Sequence, residues 1–282
     1  MARLAARDLS NRRIAETLVI AEKTAGLRPA RCLTRAWRGV VSGWVERRDM
    51  RERRTDMYVT RNESEVTLGR PVEYESTIDE LAGLNQQMPG YIGATLLQSY
   101  GNPTRYTHIG RWTDREAARA AVRSEQFSAF ARSALASGLF RPVRLPEAYE
   151  SVFEVDNTAV PDSASTCEVL VDWTLKNAMV APAFEAFAHD VADLMKQSSV
   201  GFVSSRLRRF LGNDTRYLTI AIVTDQAAAR SRLLTPEVQR FLETHPFTDF
   251  ATAAPFAETY YVVRRYAGTG APAAQSAAAA AR

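Results

Sequence analysis

Residues 101–106 read GNPTRY and residues 212–217 read GNDTRY. Sliding the chain on itself by the 111 residues between them aligns 90–119 with 201–230 without a gap. Thirteen of those thirty positions are identical: Gly90, Leu96, Gly101, Asn102, Thr104, Arg105, Tyr106, Ile109, Thr113, Asp114, Ala117, Ala118 and Arg119. A period of about a hundred residues is domain-sized and too long for a solenoid, whose units run to roughly 20–50 residues. The match predicts a duplicated domain.

The bulk numbers agree with that expectation. A chain of 282 residues, 46% hydrophobic and 24% charged, has room for about two globular domains. No apolar run approaches the roughly 18 residues of a membrane span. Cys32 and Cys167 lie far apart without metal-ligand spacing, which predicts two plain thiols in a cytoplasmic protein with no metal centre. MARLAARDLSNRR leads into no apolar core with a cleavage site, so secretion is not expected. Net charge is divided unevenly. Residues 1–57 hold fourteen Arg or Lys against seven Asp or Glu, leaving 22 against 25 in the rest. The body is therefore slightly acidic and offers no electrostatic footprint for nucleic acid.

Residues 1–57 form a basic extension. Within it RDLSNRRIAETLVIAEKTA, residues 7–25, resembles the core of a LuxR-type helix-turn-helix through Ser10, Asn11, Ile14, Ala15, Leu18, Ile20, Lys23 and Thr24. The resemblance implies a helix capped by Ser10 and a second helix presenting Lys23 and Thr24 to DNA. Two departures argue for a degenerate unit: nothing in the sequence supplies the preceding helix, and Pro29 breaks the recognition helix.

Residues 58–157 read as one β-α-β-β-α-β unit. Alternation in VTLGRPVEY suggests a strand, STIDELAGLNQQM a helix capped by Ser76 or Thr77, and YIGATLLQSY a strand. After the GNPT turn come the strand RYTHIGRW, one long helix TDREAARAAVRSEQFSAFARSAL and the strand EAYESVFEV. Residues 165–267 fill the same six slots, from CEVLVDWTL to AETYYVVRRY, with Pro182 in a helix first turn and DQAAARSRLLTPEVQRFLETH as the long helix. Residues 158–164 are the linker, and 268–282 an Ala-rich tail expected to be disordered. The fold class is α+β: two tandem ferredoxin-like domains, each with a bare sheet face that the other covers, closing into an intramolecular barrel. A monomeric pseudo-dimer or a homodimer would follow.

Pro89-Gly90-Tyr91-Ile92-Gly93, then LLQSYGNPTRYTHIGRW and TDREAARAAVRSEQF, resembles the antibiotic biosynthesis monooxygenase family of dimeric α+β barrels. The likeness spans both repeats. It implies a small-molecule oxygenase acting on a polycyclic aromatic or polyketide-like phenol, with molecular oxygen as co-substrate. Period-two alternation puts Tyr106, His108, Gly110 and Trp112 on one face of RYTHIGRW. Actinorhodin-type oxygenases look similar in carrying a Trp at the end of this strand and an amide four residues earlier, which maps onto Trp112 and His108. Histidine in place of asparagine is a departure, yet imidazole can still hydrogen-bond a phenol or take its proton. The candidate catalytic residues are thus His108 and Trp112, with Tyr106, Tyr91, Phe127 and Phe130 as substrate contacts. Tyr106 and Arg105 also recur as Tyr217 and Arg216, which suits a structural role. In the second repeat His108 becomes Thr219 and Trp112 becomes Val223, so one copy would be active and the other its partner.

No cofactor is expected to be built in. GxGxxG between strand and helix is missing, and the helical histidine of the haem-degrading branch is absent from SEQFSAFAR. Tandem copies look similar to ring-opening oxygenases of angucycline pathways, which implies diffusible reduced flavin from a separate reductase. The alternative reading is a non-catalytic ligand-binding or transcription-associated regulator, for which the basic extension would speak.

Overall fold

The computed structural model describes residues 57–157, 159, 166–231 and 235–268. The helix-turn-helix-like stretch, most of the linker and the tail after Gly268 lie outside the described residues.

Nine strands form a single antiparallel sheet. They are β1 (Tyr58–Val66), β2 (Tyr91–Ser99), β3 (Arg105–Trp112), β4 (Phe140–Pro142), β5 (Glu147–Asp156), β6 (Cys167–Thr174), β7 (Phe202–Phe210), β8 (Arg216–Val223) and β9 (Phe256–Ala267). Helices α1 (Pro71–Gln86), α2 (Arg115–Arg123) and α3 (Glu125–Ala136) belong to the first half, and α4 (Ala181–Ser198), α5 (Gln226–Ser231) and α6 (Pro236–Thr244) to the second. The order β3-β2-β9-β6-β8-β7-β5-β1 closes through a β1–β3 pairing, with β4 appended beside the end of β1. A ferredoxin-like α+β fold with a closed antiparallel barrel results. Closure leaves no exposed edge between the eight long strands. The last strand of each half joins the other half: β5 pairs with β7, and β9 with β2.

Two cores follow from strand alternation. Val59, Leu97, Ile109, Tyr149, Leu170, Leu218, Ile220 and Tyr260 point into the barrel and pack together. On the outer face Leu96 and Tyr106 meet Tyr74 and Ile78 of α1, while Leu207 and Tyr217 meet Phe184 and Phe187 of α4.

The shared residues now have physical roles. Asn102 Oδ1 accepts from the backbone N and hydroxyl of Thr104 at 3.1 and 2.8 Å, and Asn213 Oδ1 does the same for Thr215 at 2.9 and 2.8 Å. Each turn thereby launches an arginine into the barrel and a tyrosine out of it. Arg216 donates to Glu147 at 2.6 Å and Arg105 lies 3.7 Å from Glu258, so each arginine reaches the final strand of the opposite half. Tyr106 and Tyr217 donate to Glu75 and Glu185 at 3.1 and 2.8 Å, tying the sheet to α1 and α4. Gly90 and Gly201 have φ of +79° and +87°, and a Cβ on either would meet the hydroxyl of Thr113 or Thr224 at 2.5 or 2.7 Å. Asp114 and Asp225 cap the helices that follow, accepting from Ala117 N and Ala228 N.

Three boundaries correct the sequence expectations. VTLGRPVEY is not one strand: β1 ends at Val66 and α1 starts at Pro71, whose fixed φ and missing N–H suit a first helical turn. The cap is Arg70 without a side-chain hydrogen bond, not Ser76 or Thr77, and the buried Tyr74, Ile78 and Ala82 follow helical spacing. Both long helices are broken. Ser124 takes an extended backbone and caps α3 through Phe127 N, and Thr235 caps α6 through Val238 N. The short β4 was not foreseen.

Candidate functional site

The outer face of β3 carries Tyr106, His108, Gly110 and Trp112, as alternation requires. Directly opposite on β1 stand Ser64, Asn62, Thr60 and Tyr58; on β2 stand Gln98, Leu96, Ala94 and Tyr91. Cross-strand pairs share a face, so His108 is flanked by Asn62 and Leu96.

His108 is 5% exposed, and neither ring nitrogen has a hydrogen-bond partner. Burial lowers its pKa to about 4, with the nearby charge of Arg111 adding to the effect. The imidazole is therefore neutral at physiological pH, one nitrogen able to donate and the other to accept. Beside it Gly110 lets the neighbouring side chains pack closely over the strand. A Cβ there would lie 2.7 Å from Thr60 Oγ1, 3.4 Å from Trp112 Nε1 and 4.0 Å from His108 Cε1. Trp112 meets Tyr91 edge-on with ring centroids 5.1 Å apart. The Tyr91 hydroxyl is buried without a partner, and burial raises its pKa well above the ordinary phenol value.

Of the residues singled out from sequence, His108 and Trp112 border Gly110, and Tyr91 packs on Trp112. Tyr106 is fully buried, with its hydroxyl committed to Glu75 and its ring 5.0 Å from Tyr74. Phe127 and Phe130 are half-buried, three residues apart on one face of α3. Thr60 and Asn62 escaped the sequence reading, which placed Gly110 on this face without a role. The first two sit on β1, whose place beside β3 is set by a pairing between distant residues. Gly110 contributes by what it lacks.

The equivalent place in the second half has its polar groups paired. Thr219 Oγ1 accepts from Trp173 Nε1 at 3.0 Å, Val171 stands opposite Thr219, and Ala221 replaces Gly110. Trp173 packs on Phe184 at 5.1 Å, and Phe184 continues to Phe187 and Phe250. His189 and His245 are exposed groups on α4 and after α6, the first beside Asp193 and the second stacked on Phe241.

Among the described residues no cluster of His, Cys, Asp or Glu could hold a metal ion. No described helix is long and apolar enough to cross a membrane.

A barrel of this topology places the molecule among ferredoxin-like α+β barrel proteins. Residues 57–133, which contain all of the His108 cluster, match the family model of the antibiotic biosynthesis monooxygenases and carry a domain of that kind. No curated protein matches the chain. Solved structures share the fold. A protein from Fusobacterium nucleatum, provisionally assigned as a monooxygenase, aligns with a TM-score of 0.62 and 11% identity over 76% of this chain and 96% of its own. An anthrone oxidase-like protein aligns with a TM-score of 0.59 and 13% identity over 78% and 97%. SnoaB, a cofactor-independent oxygenase from Streptomyces nogalater, is 29% identical over 33% of this chain and 90% of its own, with a TM-score of 0.30.

Proposed function

We propose that the chain is an oxygenase of the antibiotic biosynthesis monooxygenase type, acting on a polycyclic aromatic phenol, with one active copy in a duplicated domain. Residues 58–157 are the active copy and 165–267 the partner that closes the barrel. The observation carrying this reading is His108: buried and neutral, with both nitrogens unpartnered.

A buried polar group without a partner is costly, and a ligand that supplies one recovers that cost. A phenol donating to the free imidazole nitrogen does so. Proton transfer leaves a phenolate beside an imidazolium, and that opposite charge raises the low pKa of His108, favouring transfer within the complex. The phenolate is electron-rich and can react with molecular oxygen. Trp112 and Tyr91 wall the site and keep water from the anion. Phe127 and Phe130 contact the substrate from α3, and Tyr106 holds the floor.

The test is oxygen uptake by the purified chain with anthrone and angucyclinone phenols, with and without reduced flavin. Uptake without flavin supports direct reaction, uptake only with flavin requires a reductase as supplier, and no uptake with any phenol would sink the proposal.

A further inference from the structure

The two ends of the barrel interior differ in charge balance. At the end beneath the GNxTRY turns, Arg61, Arg105, Arg144 and Arg216 face Glu63, Glu147, Asp172 and Glu258. Four cations meet four carboxylates. At the other end, among the described residues, Arg111, Arg206, Arg208 and Arg265 face three carboxylates, Glu154, Asp156 and Glu168.

These four arginines lie on inward positions. Arg111 alternates with Ile109 of the inner core, and Arg206 and Arg208 flank the outward Leu207. Glu154 is shared, bonded to Arg208 and 3.7 Å from Arg206 Nε. Arg265 donates to Thr166 Oγ1 at 2.6 Å and lies 3.9 Å from Glu168. Among the described residues Arg111 makes no hydrogen bond and no ion pair. Its Nη2 occupies the space over Gly93, 3.2 Å from where a Cβ would stand, so a side chain there would obstruct it. Burial and the charges of Arg206 and Arg265 push its pKa down, partly offset by Glu168. The Nε atoms of Arg206 and Arg208 are buried without hydrogen-bond partners.

A guanidinium taken from water without a counter-charge is unfavourable, and among the described residues the arginines here outnumber the carboxylates by one, with Arg111 the member in no ion pair. The guanidinium fork matches carboxylate and phosphate oxygens in pairs. We propose that this end of the barrel binds a small oxyanion of phosphate or carboxylate type, with Arg111 as principal ligand and Arg206 and Arg265 beside it. The site lies on the inner face of the sheet and does not depend on the oxygenase reading.

The experiment is calorimetric titration and thermal melting of the full chain with inorganic phosphate, malonate and chloride at matched ionic strength, for wild type and Arg111→Met. Binding of either oxyanion by the wild type, weakened about tenfold or more in Arg111→Met, is expected from loss of charge-assisted hydrogen bonds. The phosphate and malonate arms separate a tetrahedral from a carboxylate ligand. In chloride alone Arg111→Met should melt no lower than wild type, because it removes an unpaired cation while keeping the apolar stem. Equal wild-type response to all three salts, retained affinity in Arg111→Met, or a lower melting point of that variant in chloride would each overturn the site.

Discussion

His108 and Thr219 occupy the same place in the two halves and live in opposite surroundings. Thr219 has its bond from Trp173, an apolar Val171 across the strand and a chain of phenylalanines beyond. His108 has Asn62 across the strand, Gly110 two residues on and no bond at either nitrogen. Residues identical in both halves, Asn102, Arg105, Tyr106 and Asp114 among them, make the same kinds of contact in each and build the barrel. The unpartnered imidazole lies where the halves differ.

The largest effect expected from this comparison is kinetic. His108→Ala should lower oxygen uptake by about 10²- to 10⁴-fold, the range for loss of a general base, while Thr219→Ala leaves it unchanged. Melting curves of His108→Ala should stay close to wild type, since an imidazole without hydrogen bonds contributes little; a collapse of stability would assign His108 to the core instead.

Acid should expose the same asymmetry. Folded His108 keeps neutral down to about pH 4, whereas the unfolded residue takes its proton near 6.5. Between those values the unfolded state holds more protons, so stability is full above about pH 6.5 and falls as pH drops toward 4, by about 3 kcal/mol in total. Denaturant titrations of wild type and His108→Asn across that range should differ by this amount, and parallel curves would show that burial does not hold the imidazole neutral.

Crowding Gly110 is a milder intervention. Gly110→Ala puts a methyl 2.7 Å from Thr60 Oγ1, and overpacking of this kind costs about 1–3 kcal/mol. Ala221 is accommodated at the matching place on β8, so the variant should fold and lose substrate affinity. Undiminished affinity would place the substrate elsewhere. The smallest effect should come from Trp173→Phe, which removes one hydrogen bond to Thr219 at about 1 kcal/mol and leaves oxygen uptake as it was.

The β-α-β-β-α-β order, the barrel and the face shared by His108 and Trp112 were legible because they rest on local signals: turn residues, period-two alternation and a repeat that states its own boundaries. Where a local signal competed with another, the reading slipped. Alternation in PVEY suited a strand as well as a helix, and only the packing of Tyr74, Ile78 and Ala82 against the sheet decides for α1. Ser124 looks like any polar residue of a helix until its extended backbone, followed by its bond to Phe127 N, divides α2 from α3.

By itself, then, the sequence determined that one strand unit is written twice and that its copies differ at positions 108, 110 and 112. Tertiary structure alone decided what those differences mean. Asn62 and Thr60 reach His108 and Gly110 only through the β1–β3 pairing that closes the barrel, and Arg111 meets Arg206 and Arg265 only because strands from both halves enclose one interior. Pairings between residues tens to over a hundred positions apart leave no periodic trace in the chain, and the desolvation that sets the charge of His108 belongs to the assembled barrel.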